Sequence, residues 1–494
     1  MQQQITVQEP LIRPSDTFSP SPGRRETEGS YLEDTSTMTN SRKVLSVFSL
    51  VMINVIAVDS LRTLPISAKL GFSLVFYYIP AVIIFFIPIG LVAAELATAY
   101  PKTGGIYVWV REAFGCRAGF ITIWLQWIYN VVWYPAIMAF ISATLAYLFS
   151  PALATDKYFL LFTTQSLFWI FTVLNCFGMR VSSVISTIGA LTGTLVPMLG
   201  IIVLAIIWLM SGHRVSANPH ASWFPNFSDF GNLSLFPVIL FGLIGLEMSA
   251  VHAEDVENPQ RDYPKAIVYS TLIIFLTLIL GALAIVIVVP YNKLSVISGL
   301  IEAYSVFFNT FDLPWMIPIL VWLIVLGALS GVSAWIIGPT RGLLVSAQDG
   351  SLPKIFSHVN RYGSPAPILV AQGLIFSLLS GVFILSDSIN TAYWMLSDLS
   401  AQLALLVYVF MFAAAIKLRY TEPNRPRSYK IPGGNHVMWL VAGSGIACCL
   451  FAMAIGFVPP TQIPIQNVFF FELFLVGGIV LFVVLPWLFA KRHD

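Results

Sequence analysis

The chain has 494 residues, 57% of them hydrophobic and 10% charged, with a net charge of +2 and a mean hydropathy of +0.81. Soluble domains carry roughly a quarter charged residues, so the composition excludes an ordinary soluble domain and indicates a membrane protein. The near-neutral net charge adds little. The four cysteines, Cys116, Cys176, Cys448 and Cys449, lack metal-ligand spacing and read as small core residues.

From the N-terminus, residues 1–42 are polar, rich in Ser, Thr and Pro, and lack the apolar centre of a signal peptide. They predict a disordered tail. A helix needs about 20 apolar residues to cross a bilayer. Runs of that kind fall near 44–68, 72–99, 119–149, 158–178, 184–211, 233–253, 265–290, 315–346, 366–386, 392–417, 436–458 and 467–490. Barrel strands would alternate over about ten residues instead, so the expected fold is an all-α membrane protein with twelve transmembrane helices.

Lys and Arg placement sets the orientation. Of the 26, 21 fall on the side shared by the two termini; Lys69, Lys157, Arg214 and Lys293 fall opposite, and Arg62 lies inside the first run. Both termini are expected in the cytoplasm. The organisation reads as a tail (1–42), ten spans (43–418, in halves of about 43–211 and 233–418), and a loop with two further spans (419–494).

An ionised side chain at the bilayer centre costs roughly 2.5–3.5 kcal/mol on insertion scales, so such groups are paired or in use. Run 1 holds Asp59 and Arg62 in "NVIAVDSLRTLPISAKLG", run 6 holds Glu247, and run 10 holds Asp398. Glu95 and Glu472 lie nearer span ends. Three residues apart, Asp59 and Arg62 could form a buried pair on one helix face. The surroundings offer another reading. Run 1 continues through Ser60 and Thr63 to Pro65, which lacks a backbone donor, and run 6 carries Gly242 and Gly245 just before Glu247. Both spans are candidates for helices broken halfway. Bare backbone is tolerated at that depth only where it lines a cavity or is buried in protein.

Two interrupted helices at corresponding places in two halves point to the substrate site of a secondary transporter. Half-helix ends offer N–H groups to a carboxylate, and unwound carbonyls suit an ammonium group, so the expected substrate is an amino acid. Arg62 favours a carboxylate, whereas Asp59 and Glu247 favour a cation, which leaves side-chain charge open. The glycines could equally serve close helix packing.

Four stretches then occur in order: "GFSLVFYYIPAVIIFFIPIGLVAAELATAYPKTGGIYVWVREAFG" (71–115), "FPNFSDFGNL" with "GLEMSAVHAEDVENPQRDYPKA" (245–266), "SAWIIGPTRGLLVSAQDGSLPKIF" (333–356) and "YKIPGGN" (429–435). With these motifs the chain resembles the amino acid–polyamine–organocation (APC) transporter superfamily over about residues 43–490, and is most similar to the branch containing the bacterial glutamate/γ-aminobutyrate antiporter. The resemblance implies a five-plus-five inverted repeat with discontinuous helices 1 and 6, two C-terminal helices and alternating access around a central site. It places a substrate-binding turn at Val58, Asp59 and Ser60, where relatives often have Gly-Ser-Gly. It puts the second break at Gly242 to Leu246, a gating aromatic at Phe241, an acidic site-linked position at Glu247, and a substrate-packing tryptophan at Trp335. Ordinary packing would also explain the two aromatics. Glu95, in "AAELA", is expected to support the cytoplasmic end of the bundle. The chain ends just after the twelfth run, so a plugging C-terminal tail of the acid-gated kind is not expected.

Run 5 holds no lysine of the kind proton-coupled relatives use, while Ser330 and Ser333 in run 8 could help bind sodium. Exchange needs neither ion, which makes antiport in the inner membrane the favoured mode, with ion-coupled symport as the alternative. His252, beside Glu254 and Asp255, could sense pH, although surface pairing explains it equally; Glu247 is the better proton-responsive group. No cofactor or metal is called for, and the expected partners are a small amino acid and lipid rather than nucleic acid. An enzyme finds no support in H-E-x-x-H or G-x-S-x-G motifs. A sensor signalling through residues 1–42 remains a rival from another class.

Overall fold

A computed structural model describes residues 45–489 apart from 102–103, 178–188, 190, 217–221, 226, 228–229, 249–255 and 257. The expected tail and His252 therefore lie outside the described residues. In chain order the helices are α1 (Val47–Val58), α2 (Thr63–Ala68), α3 (Gly71–Ala99), α4 (Ile106–Phe114), α5 (Cys116–Ala146), α6 (Lys157–Cys176), α7 (Thr192–Met210) and α8 (Phe236–Gly242). They continue with α9 (Pro259–Val288), α10 (Gly299–Thr310), α11 (Met316–Gln348), α12 (Ala366–Leu385), α13 (Ile389–Thr421), α14 (Gly434–Gly456) and α15 (Val468–Phe489). Among the described residues there is no strand, only a single bridge between Leu45 and Val256.

Among the described residues, ten helices are long and apolar enough to cross a membrane. They coincide with ten of the twelve predicted runs. The other two runs, the first and the sixth, appear instead as short helices that stop partway. α1 is 12 residues long, about 18 Å at 1.5 Å per residue, which is too short to span a hydrocarbon core of roughly 30 Å.

The packing follows from which faces meet lipid. α5 and α13 are buried along most of their length and pack on each other at the centre of the bundle. α15 instead exposes Phe469, Leu473, Val476, Val480, Leu481 and Val484. Such a surface would be a liability in water and suits a lipid-facing helix. Cys448 and Cys449 are buried as expected of core residues, whereas Cys116 is exposed at the start of α5 and Cys176 is half-buried.

One end of the bundle is fastened by charge. Glu95 of α3 accepts from Arg419 Nε and Nη2, both at 2.6 Å, and from the Ile431 amide at 2.8 Å, with Arg427 Nε at 3.4 Å. Thr98, one turn on, donates to the Tyr429 carbonyl and accepts from the Tyr429 amide. The connection from α13 to α14 is thereby tied to α3. This is the supporting role read for Glu95 from the sequence.

Candidate functional site

α1 ends where its own chemistry stops it. The Asp59 amide still reaches the Val55 carbonyl at 2.8 Å. The amides of Ser60, Leu61 and Arg62 find no acceptor among the described residues, which deprives the carbonyls of Ile56, Ala57 and Val58 of their helical donors. Thr63 Oγ1 turns back to the Ser60 carbonyl at 2.7 Å and fixes the new start. Pro65 then falls in the first turn of α2, where a missing N–H costs nothing.

The second break has the opposite cause, a glycine conformation. After α8, Gly245 sits at φ +121°, and its amide donates to Glu247 Oε2 at 3.2 Å. A side chain there would meet the Ala57 carbonyl oxygen at 3.0 Å from its Cβ, and one on Gly242 would meet Thr63 Cγ2 at 3.1 Å. The glycine pair thus brings the two breaks against each other. Close packing and interruption are here the same feature.

Between the breaks lies a cavity of about 100 Å³. By the measure on which one water takes roughly 10–15 Å³, it offers on the order of seven to ten water-sized positions, the scale of a small amino acid. Its wall is formed by residues Ile56 to Thr63, by Tyr129, Asn130 and Trp133 of α5, and by Phe241, Gly242 and Trp335. Trp133 and Trp335 meet edge to face, 6.5 Å between centroids, as do Tyr129 and Phe241 at 6.1 Å. Beyond α2, a second recess of about 290 Å³ is lined by Lys69, Tyr77, Asn232, Tyr291 and Gln462.

Of the nine residues singled out from the sequence, Val58, Asp59, Ser60, Arg62, Phe241, Gly242 and Trp335 line this cavity. Gly245 and Glu247 do not. Glu247 is buried behind the wall, where it holds the Gly245 amide and accepts from Tyr408 Oη at 2.8 Å. The Asp59–Arg62 ion pair is not formed: both Asp59 oxygens accept from Thr277 Oγ1 of α9 at 3.1 Å, while Arg62 Nη1 donates to Tyr393 Oη at 3.1 Å. Without a helix between them, the two residues no longer share a face. Asp398 is fully buried in α13, outside the cavity. Ser330 donates back to the Leu326 carbonyl at 2.7 Å, and among the described residues no cluster of His, Cys, Asp and Glu could hold a metal.

α13 steadies both breaks. Tyr393, Ser397 and Tyr408 fall within roughly 60° of arc on one helix face; the first two hold Arg62 and the third holds Glu247. These tethers, with Thr277, Tyr129 and Trp133, were not singled out from the sequence. The one available signal was the i, i+4 spacing of Tyr129 and Trp133 in "IWLQWIYNVVWYP". Hydroxyls in apolar helices carry no mark of their partner.

Comparison with known proteins agrees with this architecture. The family model described as amino acid permease matches residues 43–482. An uncharacterized transporter of Legionella pneumophila is 69% identical over 457 residues, covering 92% of this chain and 98% of its own length. The glutamate/gamma-aminobutyrate antiporter of Lactococcus lactis subsp. lactis is 28% identical, with 92% of each chain covered. A protein of the same organism named "Probable agmatine/putrescine antiporter AguD" is 26% identical over 92% of this chain and 96% of its own. These relatives are transporters and not enzymes. With a family model matching most of its length and an all-helical architecture of long apolar helices, the chain belongs to the amino acid permease family of membrane transporters.

Proposed function

We propose that the protein is an amino acid antiporter of the inner membrane, working by alternating access around the cavity between its two broken helices. On this reading the two interrupted runs and the ten long helices make twelve spans, ten of them arranged as an inverted repeat. Both termini, and with them the Glu95–Arg419 end, face the cytoplasm. The observation that carries the proposal is the cavity wall: the residues whose helical bonding lapses where α1 stops line one small space together with Phe241, Gly242 and Trp335. Amides suit the carboxylate of an amino acid and carbonyls its ammonium group. The antiporter names of two relatives support exchange over ion-driven uptake.

Counterflow tests it. Purified protein in liposomes loaded with unlabelled amino acid should take up labelled amino acid faster than in empty liposomes, with no ion gradient. Uptake that needs sodium or a proton gradient and ignores internal amino acid would establish symport instead. Removing residues 1–40 should leave exchange intact; loss of a signalling output with no flux to begin with would favour a sensor.

Trp335 provides a second check. It forms one side of the cavity against Trp133, and truncating it opens the wall that encloses the substrate. Trp335→Ala is expected to lower exchange several-fold at equal amounts of reconstituted protein. Exchange matching the unmodified protein would remove Trp335 from the site.

A further inference from the structure

Arg62 presents a charge that the protein itself does not match. It is 3% exposed and lines the central cavity. Its guanidinium carbon lies 5.6 Å from the ring centroid of Trp133, 5.8 Å from that of Phe241 and 5.9 Å from that of Tyr393. Nη1 is engaged, donating to Tyr393 Oη at 3.1 Å and to Ser397 Oγ at 3.5 Å. Nε is buried without a partner, and Nη2 finds no acceptor among the described residues. No carboxylate of the described residues lies within ion-pair distance, since Asp59 is turned to Thr277.

Nε and Nη2 form the edge of a guanidinium that grips a carboxylate with two parallel hydrogen bonds. The same protein shows that edge satisfied elsewhere: Arg419 donates to Glu95 through these two atoms, each at 2.6 Å. At Arg62 the aromatic rings cover the guanidinium and the two hydroxyls hold Nη1. The edge is thus oriented while its acceptor is left to come from outside the protein. A buried cation without a counter-charge is costly, and a polyamine beside it would add repulsion.

Resting on the antiporter reading above, we infer that Arg62 is the specificity-determining residue of the central site. The freed backbone groups hold the α-ammonium and α-carboxylate, and the Nε/Nη2 edge of Arg62 takes a second carboxylate on the substrate side chain. The preferred substrate is then an acidic amino acid. Neutral amino acids rank below it, and diamines are excluded. This distinguishes the protein from a polyamine exchanger on the strength of one side chain.

The experiment measures counterflow of glutamate, glutamine and putrescine by the unmodified protein and by Arg62→Gln and Arg62→Lys. The unmodified protein should exchange glutamate well above glutamine and not carry putrescine. Charged hydrogen bonds of this kind are worth roughly ten- to hundredfold, so Arg62→Gln should reduce the glutamate-to-glutamine ratio by that factor. Arg62→Lys, which keeps the charge and loses the fork, should fall between. A role confined to holding Tyr393 and Ser397 would lower both amino acids together, and an unchanged ratio overturns the inference. So does equal exchange of glutamate and glutamine, or transport of putrescine, by the unmodified protein. If no amino acid is exchanged at all, the underlying antiporter reading falls first. Should the variants fail to fold, thermal melting of the unmodified protein still decides: glutamate should raise the transition more than glutamine or putrescine, and equal shifts refute the assignment.

Discussion

Replacing Glu95 with glutamine is expected to destabilise the protein by about 3–5 kcal/mol, the usual consequence of removing one partner from a buried ion pair. Glu95 and Arg419 are 3% and 2% exposed, so solvent cannot replace the lost charge. One carboxylate oxygen serves both Arg419 Nη2 and the Ile431 amide, and the other serves Arg419 Nε with Arg427 nearby. A glutamine in that position keeps one carbonyl oxygen and turns an amide group toward guanidinium donors. Arg419 and Arg427 then remain buried with no anion. The measurement is thermal or denaturant unfolding in detergent, compared with Glu422→Gln. That residue pairs with Arg425 at 2.8 Å, but the side chains are 35% and 31% exposed, and exposed pairs contribute roughly 0–1 kcal/mol. Equal, small effects for the two substitutions would show that Glu95 does not fasten this end of the bundle.

Gly245→Ala should abolish most exchange while leaving the bundle assembled. Its φ of +121° lies in a region that L side chains rarely adopt, and such strain costs on the order of 1–3 kcal/mol. The new methyl also meets the Ala57 carbonyl oxygen at 3.0 Å, and that oxygen belongs to the cavity-forming break in the first span. The damage is therefore directed at the contact between the two breaks, while the long helices are untouched. The control is Gly477→Ala in α15, where a methyl meets nothing within 4 Å. Exchange assays normalised to folded protein should separate the two. Full activity in Gly245→Ala would mean that the close approach of the breaks is dispensable.

These two positions differ in how far the sequence exposes them. Glycines at 242 and 245 and a proline at 65 mark weak points in otherwise apolar runs, and the breaks lie beside them. The membrane class and the ten long helices follow from run length, because crossing a bilayer sets a length requirement that composition alone can meet or miss. The family resemblance brought forward the turn at Val58 to Ser60, Phe241 and Trp335, all of which line the cavity.

What the tertiary structure decided was the choice of partners. By spacing, Asp59 and Arg62 were eligible for each other; unwinding the segment between them sends one to Thr277, 218 residues away, and the other to Tyr393, 331 residues away. Glu247 reads from the sequence as a substrate ligand, and in the fold it braces Gly245 behind the wall through Tyr408. Local patterns report the period and the weak points of a single helix, because backbone bonding there reaches only four residues. Where a buried charge finds its complement depends on which helix faces it across the bundle. That is a property of the packed chain, and it is what leaves Nε of Arg62, a residue of the cavity wall, buried without a partner.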